Sequence, residues 1–341
     1  MVSAARSAFG TAPDGSTVEK VVIAGGGLTA AVMSWGAALT DLRLAGHGSP
    51  LILGFGAFGH YLDHSPYFGA IVGRFANRIA GGRFVIDGVT HRTDRDFLGR
   101  HTLHGGARGT HRRNWTVIAL DADAVSLTLA DNDGEMGFPG NCQLAVTYRL
   151  GGAGVLRVEM DATTDRPTPL NLASHAYFNL DGADTILDHE LRIDAEHYLP
   201  VDAELIPTGE IRTVAGTPFD FRRPRPIRHA AADGGQFVYD HNFCLSAART
   251  GLREVARLAS IRSGVAMAVA TTEPGLQFYA GHAVATPVPG LTGRPYGACS
   301  GLCLEAQAWP DAPNRPEFPD AILRPGERYR QETEYRFAAA G

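Results

Sequence analysis

Alternation of apolar and polar residues at a period of two runs through most of this chain. Phe84-Val85-Ile86-Asp87-Gly88-Val89-Thr90-His91-Arg92 sets two strand-like fragments around an Asp-Gly pair, the strongest short-range signal for a hairpin. Val146–Leu150 and Val155–Met160 predict a second hairpin around Gly151-Gly152-Ala153-Gly154. Val125–Leu129, Ala266–Ala270 and Glu334–Phe337 extend the pattern. Helical spacing is not sustained anywhere, and candidates such as Asp202-Ala203-Glu204 are one turn long. Short strands with closely spaced turn signals predict an all-β, antiparallel sandwich or barrel.

Length and punctuation pull in opposite directions. A chain of 341 residues suggests two domains, because single cores seldom grow past about 250–300 residues. No linker or shift in composition divides it, and the 41 Gly and 20 Pro are scattered through short turns. The expectation is one domain over residues 1–341. Val21–Ala31 imitates a strand leading into a G-x-G-x-x-A nucleotide turn. That fingerprint has meaning only inside a βαβ unit, and Gly36 with β-favouring neighbours interrupts the helix it would need. Val32–Leu42 reads instead as an early strand.

Composition removes several function classes. A net charge of −5 with arginines dispersed along the chain argues against nucleic acid or an anionic membrane as partner. The cluster Arg222-Arg223-Pro224-Arg225-Pro226 reads as a solvated loop. Lys20 is the only lysine and precedes a strand-like run near the N-terminus, which leaves Schiff-base chemistry without a candidate. Cys142, Cys244, Cys299 and Cys303 lie in or beside apolar runs, with no CxxC or Cys/His zinc spacing. Buried, reduced thiols are the expectation. There is no secretory-type leader and no run of about 18 apolar residues, so the expected setting is soluble and cytoplasmic.

The chemistry concentrates in six segments. Gly301–Asn314 contains an apolar strand, Leu302-Cys303-Leu304, which delivers Glu305 ahead of Trp309-Pro310. A half-buried carboxylate beside an indole suits an enzyme that binds a sugar ring and moves one of its protons. Asn171–Leu180 carries His175 and Tyr177 among aliphatic and aromatic residues, and Leu103-His104-Gly105-Gly106 offers a second histidine. Gly73–Phe84 carries Asn77 and Arg78, Asp240-His241-Asn242-Phe243 brings a carboxylate, and Glu273–Gly281 brings Gln277.

Taken in order, these segments resemble the aldose 1-epimerase (galactose mutarotase) family, from about residue 15 to the end. The resemblance implies one large, distorted antiparallel β-sandwich with its site in an open cleft. It also implies interconversion of the α and β anomers of a free monosaccharide, with no metal or cofactor. Glu305 would be the general base at the C1 hydroxyl and His175 the general acid at the ring oxygen. His104 would donate near that oxygen, with the glycines behind it allowing close approach. Asn77, Arg78, Asp240 and Gln277 would hold sugar hydroxyls, and Tyr177 would line the cleft. Arg74 and Arg83 read as structural or surface groups, and Asp311 and Trp309 as supports behind the base. Three other readings remain open at this point, one of them a mutarotase for sugar phosphates, which would need a cationic pocket. A glycosidase could use Asp240 and Glu305 as its carboxylates, and the same scaffold could bind sugar without catalysis.

Overall fold

The computed structural model describes residues 4–339, which form antiparallel sheets. A four-stranded sheet comes first: Ala5–Thr11, Thr17–Gly25, Leu28–Met33 and Leu39–Leu44. A nine-stranded sheet is built around Ala124–Asp131, Cys142–Gly151, Val155–Thr164, Tyr329–Ala339, Val265–Thr271 and Arg253–Ser260, in that spatial order. Its strand Tyr329–Ala339, late in the sequence, sits between Val155–Thr164 and Val265–Thr271. A five-stranded sheet runs Arg212–Thr213, His197–Tyr198, Asp240–Cys244, Gly275–Tyr279, Cys303–Gln307. One hydrophobic cluster draws on all three, from Val21 through Val146 and Phe278 to Phe337.

Alternation in the sequence becomes alternation in burial. Along Cys142–Gly151, buried residues alternate with partly or fully exposed ones, and its partner Val155–Thr164 does the same. The Asp-Gly hairpin forms between Arg83–Ile86 and Val89–Arg92, with Asp87 and Gly88 both at positive φ (50° and 79°). Val21–Ala31 is also a hairpin, turning at Gly26-Gly27, so the nucleotide fingerprint is a coincidence of glycines.

Three readings of the sequence need correction. Val32–Leu42 is not one strand but two, separated by a tight turn with Gly36 and Ala37 at positive φ. A side chain at Gly36 would meet the carbonyl oxygen of His111 at 2.7 Å, so the turn packs too closely for one. A seven-residue helix, Phe58–His64, was not expected; it buries Phe58 and Tyr61, three apart on one face. Arg225 is no solvated group: Arg225–Pro226 pairs with Glu190–Leu191, and its guanidinium lies 3.9 Å from the Phe221 ring centroid.

Arg74 is fully buried and tied into the frame. It donates to Asp131 Oδ2 at 2.8 Å and to the carbonyls of Pro139, Gly140, Asp131 and Asn132. Replacing it with Met will cost about 3–5 kcal/mol, because breaking a buried pair strands the other partner. A denaturation midpoint unchanged at constant slope would show that Arg74 anchors nothing.

Candidate active site

The five-stranded sheet is apolar on one face and polar on the other. Phe243, Leu276, Phe278, Leu304 and Ala306 point into the core. The alternate positions form rows across the three strands. Asn242 pairs with Gln277 and Gln277 with Glu305; Asp240 pairs with Tyr279 and Tyr279 with Cys303. The strand period of two thereby gathers Asp240, Gln277 and Glu305, more than sixty residues apart end to end in sequence, on one surface. Glu305 occupies the middle of Cys303–Gln307, not its end.

The histidines arrive from loops packed over this face. The strand before His175 is only Ala173–Ser174, paired with Ile71–Val72, and the His175 N–H continues that pairing to the Ala70 carbonyl. Tyr67 and Tyr177 both stack on the His175 ring, with centroids 5.3 and 5.0 Å away. His104 follows the two-residue pairing of Arg78–Ile79 with Thr102–Leu103. Its ring Nδ1 accepts from the Asn77 main-chain N–H at 3.1 Å. Gly105 behind it serves the backbone: a side chain there would fall 2.0 Å from the Gly73 carbonyl oxygen. Only glycine lets these two loops meet.

His175 Nε2 lies 3.7 Å from Glu305 Oε1, and His104 lies edge-on to His175, with ring centroids 5.1 Å apart. All three are buried. Burial pushes Glu305 well above the usual carboxylate range; the Asp240 charge adds to this, and Arg78 opposes it. Burial pulls His175 down to about 4, partly opposed by its own main-chain carbonyl and by Asp240. His104 is held well below its usual range by burial and then by the neighbouring His175.

A second group of polar side chains adjoins the pair. Gln277 Nε2 donates to Asp240 Oδ1 at 2.6 Å, and Arg78 Nη2 reaches Asp240 Oδ2 at 3.4 Å. Asn77 Oδ1 accepts from the Arg78 main-chain N–H, and the Arg78 guanidinium lies over the Phe97 ring. Glu305 Oε2, Gln277 Oε1 and Arg78 Nε are buried with no protein hydrogen-bond partner. Each such group costs about 1–3 kcal/mol. That cost is tolerated where polar atoms serve a ligand instead of the fold. A hollow of about 900 Å³ beside Tyr67 and His111 is not lined by His175 or Glu305.

A family model described as aldose 1-epimerase matches residues 19–336. The chain belongs to the aldose 1-epimerase family. It is 42% identical over 346 residues to a galactose mutarotase of Sus scrofa, with both chains covered completely. It is 39% identical to an aldose 1-epimerase of Escherichia coli K12, covering 96% of this chain and 97% of that one. The crystal structure of an aldose epimerase homologue from C. elegans superposes with a TM-score of 0.89 at 33% identity, covering 94% of this chain and 99% of that one.

Within this aldose 1-epimerase, Glu305, His175, His104, Asn77, Arg78, Asp240 and Gln277 come together as the sequence suggested. Tyr177 is placed differently: it is buried behind His175, and its hydroxyl donates to the Pro66 carbonyl at 2.7 Å. Asp311 supports from behind, accepting from the Ala80 main-chain N–H and from Asn314. Trp309 donates its indole N–H to the Pro274 carbonyl. Tyr67, Phe97 and Cys303 were missed as site residues. Tyr67 and Phe97 carry no local motif, but Cys303 stands two residues before Glu305 on the same strand face, a signal the period-two rule contains.

His104, His175 and Glu305 offer ligand atoms within 4.8 Å of one another, a spacing open to a divalent ion. The hydrogen bonding of His104 opposes that use. Its Nδ1 accepts a hydrogen bond from the Asn77 main-chain N–H, so in the neutral ring Nε2 carries the hydrogen and is a donor. Coordination through Nε2 would require that bond to break.

Proposed function

We propose that this chain interconverts the α and β anomers of a free aldose by acid/base ring opening and reclosure. The observation that carries the reading is His175 Nε2 facing Glu305 Oε1 at 3.7 Å beside a cluster of hydroxyl-binding groups. Glu305 removes the proton from the C1 hydroxyl while protonated His175 gives its Nε2 proton to the ring oxygen. The bond from C1 to the ring oxygen breaks and an aldehyde forms at C1. Rotation about C1–C2 and the reverse transfers close the ring on the other face.

Net, one proton travels from His175 to Glu305 through the sugar and returns. Burial favours the uncharged forms of both groups, the state reached when the ring is open. Attraction across the short gap favours the charged pair that begins the reaction. The two effects oppose each other, so neither protonation state is favoured by burial and charge together. His104, neutral with Nε2–H outward, stabilises charge on the ring oxygen. Asn77, Arg78, Asp240 and Gln277 hold the hydroxyls.

Polarimetry of freshly dissolved α-D-glucose, α-D-galactose and L-arabinose tests the reading. The approach to equilibrium should quicken while the final rotation stays the same. Failure with every aldose would favour a non-catalytic sugar-binding role. Release of reducing sugar from an aryl glycoside would favour hydrolysis; against it stands a histidine, not a second carboxylate, facing Glu305. Catalysis should also survive exhaustive dialysis against EDTA. Activity lost there and restored by a divalent ion would overturn the purely acid/base site.

One domain is supported by the hydrophobic cluster that runs from Val21 to Phe337 and draws on all three larger sheets. The free thiols of Cys142, Cys244, Cys299 and Cys303 support a reducing compartment, the cytoplasm. No helix among the described residues is long and apolar enough to cross a membrane.

A further inference from the structure

The thiol of Cys303 lies under the catalytic imidazole, with Sγ 3.3 Å from His175 Nδ1, and both residues are buried. Strand period explains the contact: Cys303 and Glu305 share a face, so one strand presents the base on one side of the His175 ring and the thiol on the other. Sγ faces Nδ1, and the main-chain carbonyl of His175 itself raises the basicity of the ring. The neighbouring Tyr177 hydroxyl already donates its hydrogen to Pro66, so it does not compete as a donor to Nδ1.

We propose that Cys303 is a positioning residue for His175: its sulfur accepts from Nδ1–H and keeps Nε2 as the nitrogen that exchanges the proton. The proposal rests on His175 being the group that protonates the ring oxygen. It gives the two histidines opposite tautomers. In His104 the Asn77 N–H occupies Nδ1 and fixes hydrogen on Nε2, making a permanent donor. In His175 hydrogen stays on Nδ1, and Nε2 alternates between bare and protonated. A thiol suits the task because it is a weak, uncharged acceptor. A carboxylate under Nδ1 would orient the ring equally well but would also stabilise the imidazolium and blunt it as an acid. Burial pushes the Cys303 thiol well above its ordinary value, so it stays uncharged.

The test compares wild type, Cys303→Ser and Cys303→Ala, all as full chains shown to be folded by thermal melts. ¹⁵N spectra of labelled histidine should show His175 of the wild type as the Nδ1–H tautomer and His104 as Nε2–H. In Cys303→Ala we expect His175 to become a mixture of tautomers, kcat to fall about 5- to 10-fold, the worth of one neutral hydrogen bond, and KM to stay within about twofold. The pH–rate limb assigned to His175 should move to lower pH, because the imidazolium has lost an acceptor. Cys303→Ser, which keeps an acceptor at that position, should restore kcat to within about threefold of wild type. Equal behaviour of the Ala and Ser variants, an unmoved pH limb, or an Nε2–H tautomer of His175 in the wild type would overturn the proposal. If His175→Asn left the rate intact, the assignment of the acid would fall, while the spectra would still report which nitrogen Cys303 holds.

Discussion

Turnover of Glu305→Gln should be at least about 10²-fold below wild type, the usual worth of a positioned acid or base, with sugar binding retained. The amide keeps the shape and the hydrogen-bond reach of the carboxylate but cannot take the C1 proton. Glu305 is well buried and lacks a protein partner for Oε2, so the same substitution carries a stability signature. Its folded-state pKa is raised, chiefly by burial; the folded protein therefore holds this proton more tightly than the unfolded chain. The wild type loses the corresponding stability as pH rises from the ordinary glutamate range through the raised value. Gln has no such loss. The variant should gain thermal stability relative to wild type as pH rises from about 5 to 8. A variant that keeps more than half the wild-type rate, or a stability difference that shrinks with rising pH, would make Glu305 a structural carboxylate.

The second large effect is a contrast. His175→Asn should reduce kcat with little change in KM, because its proton transfer contributes mainly in the transition state. Arg78→Ala should instead raise KM more than it lowers kcat, because a hydroxyl clamp holds ground state and transition state alike. The geometry separates the roles: His175 faces Glu305 at 3.7 Å, whereas Arg78 is tied to Asp240 and Asn77. Thermal melts come first, since His175 also packs between strand and aromatic rings. Reversed kinetic signatures in folded variants would mean that the chemical and the binding group have been exchanged.

Most of this site was legible before any coordinates, because strand chemistry is local. The strand period of two puts every second side chain of Asp240–Cys244 and of Gly275–Tyr279 on one face. The resemblance to a family supplied roles that alternation cannot. What stayed hidden depended on contacts between distant segments. Tyr67 stacks on His175 through a loop with positive φ and no distinguishing neighbours. The glycines after His104 were read as letting backbone and ligand approach closely, and the partner of Gly105 is the distant Gly73 backbone, which no local pattern names. Tyr177 looked like a cleft aromatic because a buried ring and a lining ring have the same sequence pattern. Only the packing of one loop on another distinguishes them.

The position of strand Tyr329–Ala339 between Val155–Thr164 and Val265–Thr271 has a consequence for how the protein is made. Earlier-synthesised strands on either side of it cannot join into one sheet until this late segment has left the ribosome. Gln331 also donates to the Ala306 carbonyl, next to Glu305, so the base is not fully braced before then. A nascent chain that has not yet exposed Tyr329–Ala339 should therefore present unpaired strand edges to chaperones and remain inactive.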